Sequence, residues 1–155
     1  MKTSLLAGLT LVFSFLGIAD AWYLTQSAYA GTPLTCDITG LDGCNTVAQS
    51  AYSHLFGYPL ALYGVFFFGF LFVLAALSFF MPRRAVYLGL YGFGIAGLAA
   101  SIVFVGIQVF LIQAICIYCL GSAALSLLVF ACAHVIWKRE RSGTITFYPA
   151  PGVLP

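Results

Sequence analysis

Along this chain the apolar residues do not recur at every third or fourth position; they come in long unbroken runs. Residues 4–23 carry one charge, Asp20, near their end, and residues 58–81 ("YPLALYGVFFFGFLFVLAALSFFM") carry none. A third run covers 85–112 and a fourth 114–137. Each reaches or exceeds the roughly 20 residues that cross about 30 Å of hydrocarbon. Backbone groups in lipid must bond within their own segment, so the runs are expected to be helices. The pattern predicts an all-α integral membrane protein, a four-transmembrane-helix bundle in which residues 1–155 form a single domain.

Breakers separate the runs. Residues 24–57 make the long polar connection, with Gly31, Pro33, Gly40 and Gly43 as turn residues, and "MPRR" (81–84) is a short Pro-led turn. Between the third and fourth runs the polar residues are Gln108 and Gln113, which leaves the position of the break open. The tail 138–155 is too short to fold alone. The start also fits a second pattern: a Lys-bearing head, an apolar stretch and "AYA" (28–30) resemble a secretory signal. Cleavage at Ala30 would leave three helices, and the apolar stretch before it exceeds the usual signal core of about 7–15 residues.

Composition agrees with the membrane reading. The chain is 63% hydrophobic and 6% charged, whereas soluble domains carry about 25% charged residues. Its net charge of +2 comes from scattered cations, which assemble no basic face for nucleic acid. Their placement predicts orientation. Lys2, Arg83 and Arg84, and Lys138, Arg139 and Arg141 all fall on one side of an even number of spans, and that side is expected to be cytoplasmic. Both termini are then cytoplasmic, and the loop 24–57, with Asp37 and Asp42, lies outside a cell (inner) membrane.

Chemistry enters with the cysteines. Of five, Cys36 and Cys44 sit in the outer loop and Cys116 and Cys119 form a C-x-x-C at the outer end of the fourth helix. Four thiols thus gather on the oxidising face. Residues at i and i+3 lie on one helix face about 5 Å apart, close enough for a disulfide to open and close. Gly40 and Gly43 permit the turn that brings Cys36 and Cys44 together. Each pair also has a plainer reading: a structural staple for the loop, small buried hydrophobes for the helix, or a four-thiolate metal site. Cys132, thirteen residues beyond Cys119, falls about 20 Å deeper and is expected to serve packing.

The stretch "YLTQSAYAGTPLTCDITGLDGCNTVAQSAYSHLFGYPLALYG" (23–64), followed by "CIYC", resembles the vitamin K epoxide reductase family in its bacterial form. The similar features are Tyr-Leu-Thr ending the first helix, Cys-Asp-Ile, a spaced second cysteine with Ser50 six residues on, Gly-x-Pro entering the second helix, and C-x-x-C opening the fourth. The resemblance implies electron transfer from thiols to a quinone, ubiquinone or menaquinone. It assigns Cys36 to meet a separate thioredoxin-like (DsbA-like) protein, Cys44 to attack Cys116, and Cys119 to face the quinone. Ser50, which matches the family's serine, is expected to hydrogen-bond the quinone or a thiolate, and Phe56 and Tyr63 to wall it, although aromatic residues at the interface more often serve as membrane anchors; no metal is expected.

Two positions depart from the animal members, which carry Asn on the second helix and Tyr one turn beyond the C-x-x-C. Here they are Leu60 and Ala123, which argues against vitamin K epoxide as the natural substrate. Three polar residues stand apart. Asp20 is expected to be hydrated near the interface, His54 to be a solvated loop residue able to shuttle a proton, and His134 to lie at the opposite interface. The rival readings are a structural claudin-like tetraspan, which needs no second cysteine pair, and a thiolate metal carrier.

Overall fold

The computed structural model describes residues 3–36, 43–81 and 83–142. Lys2, Asp37, Gly40, Asp42, Pro82 and the tail from 143 onward lie outside the described residues. Five α-helices are present in them: α1 (Thr3–Ala30), a short α2 (Cys44–Ala48), α3 (Leu60–Phe80), α4 (Arg84–Gly106) and α5 (Ile117–Arg141). A six-residue π-helix, Ile107–Ile112, continues α4, and a two-stranded hairpin of β1 (His54–Leu55) and β2 (Tyr58–Pro59) precedes α3. The segments Thr3–Ala30, Leu60–Phe80, Arg84–Ile112 and Ile117–Arg141 are long and apolar enough to cross a membrane. The chain is an all-α, four-helix membrane bundle.

Its packing follows the logic of lipid rather than water. Large side chains such as Phe15, Phe66 and Ile102 are exposed on the helix exteriors, where hydrocarbon surrounds them. The buried stripe of α1 runs Leu6, Thr10, Ser14, Gly17, Ala21 and Thr25, mostly small residues at helical spacing. Small residues let helix backbones approach closely, and this is where membrane helices find packing energy. Gly17 lies under the ring of Phe68 on α3, so closely that an added Cβ would come within 2.5 Å of it. Gly97 on α4 receives the ring of Phe67 in the same way. Thr10 and Thr25 turn their hydroxyls back to the carbonyls of Leu6 and Ala21, at 2.9 and 2.7 Å, which hides the polar atom inside its own helix.

α1 packs against α3 and α5, and α4 chiefly against α5. At the end away from the cysteine pairs, Arg84 lies over the Trp137 ring and 3.6 Å from Glu140, tying the start of α4 to the end of α5. Cys132 is buried beside Leu6, Tyr87 and Ile136, the packing place its spacing predicts.

The element boundaries depart from those expected at four points, one of them the end of α5, which runs to Arg141 where a tail was expected from 138. α1 runs to Ala30 rather than ending near 23, because no breaker stops it before Gly31, which takes φ +63°. Thr32 N–H then bonds the Ser27 carbonyl at 3.2 Å, closing the helix as a Schellman cap. At 28 residues α1 is about 42 Å long. α3 starts at Leu60, since Tyr58 and Pro59 belong to the hairpin. The break between the last two runs is settled by the π-helix, by Gln113 in the left-handed region at φ 56°, and by Cys116 in extended backbone, so that α5 begins at Ile117 and not at 114.

Candidate thiol redox site

Above the bundle, the segment after α1 is pinned from two sides. The Asn45 side chain accepts from Leu34 N–H at 2.8 Å and donates to the Leu34 carbonyl at 3.1 Å. Tyr118 O–H donates to the Thr35 carbonyl at 2.8 Å. Between these anchors Cys36 reaches Cys44, the first residue of α2, in a disulfide with Cα atoms 6.3 Å apart. Gly43 brings the pair down onto the lead-in to α5. Its N–H bonds the Ile115 carbonyl at 3.2 Å, and a Cβ there would stand 2.8 Å from both Ala114 Cβ and Ile115 N, so glycine is required by close approach.

Cys44 and Cys116 are 0% and 1% exposed and belong, with Leu34, to one buried cluster, against which the half-buried Cys36 and Cys119 pack. The four cysteines meet at one end of the bundle, with Cys36 and Cys44 joined and Cys116 and Cys119 as thiols. The C-x-x-C is not simply two positions on a helix face. Cys116 is the N-cap of α5, and its Sγ accepts the Cys119 N–H at 3.4 Å. There the sulfur meets unpaired helix amides and the positive end of the helix dipole, which favour a thiolate. Cys116 stands just ahead of the α5 span. Its thiol is drawn below its ordinary value to about 7, first by the side-chain hydrogen bond from Cys119 and further by the Cys119 and Tyr118 N–H groups, against the opposing effect of burial.

A cavity of about 920 Å³ runs from beneath the hairpin into the bundle, and Cys44, Cys116 and Cys119 open onto it. Its wall is apolar where Phe67, Phe68, Leu60 and Ala123 line it. The two residues that differ from the animal pattern therefore stand on this wall. Ser50, Tyr63 and His54 are also at the cavity. Ser50 Oγ donates to the Val47 carbonyl at 2.7 Å, and Tyr63 O–H to the Leu55 carbonyl at 3.0 Å, where it braces the hairpin. His54 is exposed, with Nδ1 2.9 Å from Ser53 Oγ. Phe56 is the expected wall residue that stands elsewhere. It forms the tip of the hairpin with Gly57, both at positive φ, and is 87% exposed. Such a two-residue turn matches the twist of the strands, and it points this ring away from the cavity.

Two polar residues have structural partners that the one-dimensional pattern could not supply. Asp20, expected to be hydrated, accepts a hydrogen bond from Ser122, which lies one turn beyond Cys119 and lines the cavity. Gln108, seen in the sequence only as a marker of the break, is 4% exposed, and its Oε1 accepts the Cys116 N–H at 3.0 Å. The signal available beforehand was a polar side chain inside an apolar run, where such groups are costly unless paired. His134 sits 5.7 and 5.9 Å from the rings of Tyr91 and Phe130. Among the described residues, no group of three or more His, Cys, Asp or Glu side chains is placed to hold a metal ion.

A helix bundle of membrane-spanning length, with a disulfide packed on a C-x-x-C pair at the mouth of a cavity, defines a membrane protein with a thiol–disulfide centre. Residues 9–134 match the vitamin K epoxide reductase family. The chain belongs to that family and is a membrane redox enzyme of the oxidoreductase class. A search of curated proteins finds no individual match.

Proposed function

We propose that the chain is a quinone-dependent thiol oxidase. Electrons pass from a separate thioredoxin-like protein through Cys36/Cys44 and then Cys116/Cys119 to a membrane quinone, sustaining disulfide formation outside the membrane. The observation that carries this reading is the burial of Cys44 and Cys116 in one cluster, with the half-buried Cys36 and Cys119 packed against it. A relay needs one cysteine of each pair within reach of the other, and a staple does not.

The cavity suits a quinone. Its volume of about 920 Å³ lies in the range of small-molecule pockets. Phe67 and Phe68 offer apolar walls, while Gln108, Ser50, Ser122 and the thiols are among its polar groups. A quinone held there would supply the two-electron oxidant, taking up two electrons and two protons from Cys116 and Cys119 as they close to a disulfide. The protein's own part is thiol exchange. A partner thiolate attacks Cys36, and the bond to Cys44 breaks with its electron pair on Cys44. A second partner thiol then releases Cys36. The Cys44 thiolate attacks Cys116 of the oxidised pair, and Cys36 resolves the mixed disulfide, leaving Cys116 and Cys119 reduced. Leu60 and Ala123 keep the wall beside this chemistry without the polar groups of the animal members.

The deciding experiment uses purified protein in detergent with a reduced thioredoxin-like protein. Oxidation of that protein is expected only when a quinone is supplied, and Cys119→Ala is expected to bring quinone reduction to background. Full turnover by Cys119→Ala overturns the mechanism.

A further inference from the structure

Short of the charged turns where α4 opens, at Arg84, and α5 closes, over 138–141, the four membrane-length helices contain one Asp, Glu, Lys or Arg residue, Asp20. A carboxyl group in such a span is costly, and where one occurs it faces a bundle interior or a wet cavity and marks a path for protons or ions. Its partner here is neutral. Asp20, half-buried on α1, accepts the hydrogen bond of Ser122 on α5, and neither α1, α3 nor the first half of α5 contains a cation to pair with it. Ser122 connects this carboxyl with the site. It stands one turn after Cys119 on the same face of α5, and it lines the cavity together with Cys119 and with Ala21 and Leu24, which follow Asp20 on α1. The other titratable groups of this region are Cys116 on the same cavity, Tyr23 and Tyr118, whose rings meet at 5.1 Å, and Tyr63 on α3, whose hydroxyl is committed to the Leu55 carbonyl.

Resting on the quinone reading above, we infer that Ser122 and Asp20 form a proton relay for closure of the Cys116–Cys119 pair. Closing that disulfide releases two electrons and two protons, and reduction of a quinone takes up the same number. A hydroxyl accepts a proton at its oxygen while giving up its own, so it can pass one on without becoming charged. The Cys119 proton moves to Ser122 Oγ as the Ser122 hydroxyl proton moves to Asp20, which becomes a carboxylic acid. The hydrogen bond from Ser122 to Asp20 already points in that direction. As the sulfur gains negative charge the carboxylate loses it, so buried charge is moved and not added. Asp20 then returns the proton through Ser122 to the quinone oxygen as the sulfur–sulfur bond forms. The second proton taken up is the one Cys116 releases. Ser122 and Asp20 finish as they began.

The test follows the pair without the partner protein. In a Cys36→Ala, Cys44→Ala, Cys132→Ala background, detergent-solubilised protein with its remaining pair reduced is mixed with a short-chain ubiquinone, and the unreacted thiols are trapped by alkylation over time. Asp20→Asn, which keeps an acceptor for the Ser122 hydroxyl and loses the proton acceptor, is expected to slow closure by about a hundredfold. Formate or azide, small weak acids able to carry the proton in its place, are expected to restore part of the rate. A rate in Asp20→Asn within about threefold of the parent overturns the inference. So does a slow variant that neither weak acid restores, since a purely structural bond between α1 and α5 would behave in that way. The second measurement uses no quinone and stands even where Asp20→Asn fails to fold. In protein labelled with 13C-aspartate, the infrared difference between oxidised and reduced pair is expected to contain a carboxyl band of Asp20 that is lost in Ser122→Ala. A carboxyl signal indifferent to the state of the pair, or one unchanged by Ser122→Ala, overturns the relay. A parent protein that no quinone oxidises would fail the oxidase reading, while the infrared measurement would still report whether Asp20 is linked to the pair through Ser122.

Discussion

At the scale of single residues, the site works by giving two adjacent thiols unlike surroundings. Cys116 caps α5 and receives hydrogen bonds at sulfur from Cys119 N–H and the Cys119 thiol, while Cys119 lies inside the first helical turn. Because these donors stabilise the charged form of Cys116, its thiolate should persist at lower pH than that of an ordinary cysteine, which titrates near about 8.5. Reduced protein is therefore expected to gain ultraviolet thiolate absorbance in a step centred near pH 7, protonated below and ionised above. Cys116→Ser should remove that step. Cys119→Ala should move it upward, since the bond from Cys119 is the largest contribution. A step that stays near 7 without Cys119 would show that the helix terminus alone tunes the sulfur.

At the scale of elements, contact between the cap and the bundle depends on Gly43, which lets the start of α2 lie against residues 114 and 115. In the proposed relay, exchange between Cys44 and Cys116 would pass through a mixed disulfide that a neighbouring thiol normally resolves. A Cys36→Ala, Cys119→Ala double variant removes both resolving thiols and is expected to trap the Cys44–Cys116 bond. A protease site engineered between α3 and α4 would then yield fragments that separate only after reduction. The control, Cys44→Ala with Cys119→Ala, should yield fragments that separate without it. Adding Gly43→Val to the trapping variant places a side chain against the Ile115 backbone. Overpacking of this kind costs about 1–3 kcal/mol, so crosslink yield at equilibrium should fall by about tenfold. Equal crosslinking in the trap and its control would leave Cys44 without a part in the relay.

At the scale of the whole molecule, both cysteine pairs belong to one end of the bundle, and the Arg84–Glu140 contact and the basic last turn of α5 belong to the other. Under the proposed function the second end is expected in the cytoplasm by the positive-inside tendency, an orientation that would expose Cys36 to donors on the oxidising side. A reporter fused after Pro155 is expected to be active only as a cytoplasmic protein, and one inserted near Gly40 only as an external one. The reverse pattern would put the thiol centre in a reducing compartment and remove the rationale for an oxidase.

The four spans could be read from sequence because lipid imposes a condition that is local along the chain. A segment must satisfy its own backbone and present apolar side chains over a sufficient length, and hydropathy records both. The C-x-x-C and the spaced loop pair were equally visible, as was the family, since these are short-range patterns. Helix ends were less so: α1 outran its expected limit near residue 23 because the stop is a glycine in left-handed backbone at Gly31. Contacts between helices were decided only by the tertiary structure. Asp20 and Ser122 are 102 positions apart, and no periodicity in either helix says that they meet. The same holds for Gln108, whose place beneath Cys116 depends on a π-turn and a left-handed Gln113, and for Cys44, which the close approach at Gly43 sets into the buried cluster of Cys116. Each of these depends on how two segments cross, a property of their packed surfaces together that neither segment carries alone.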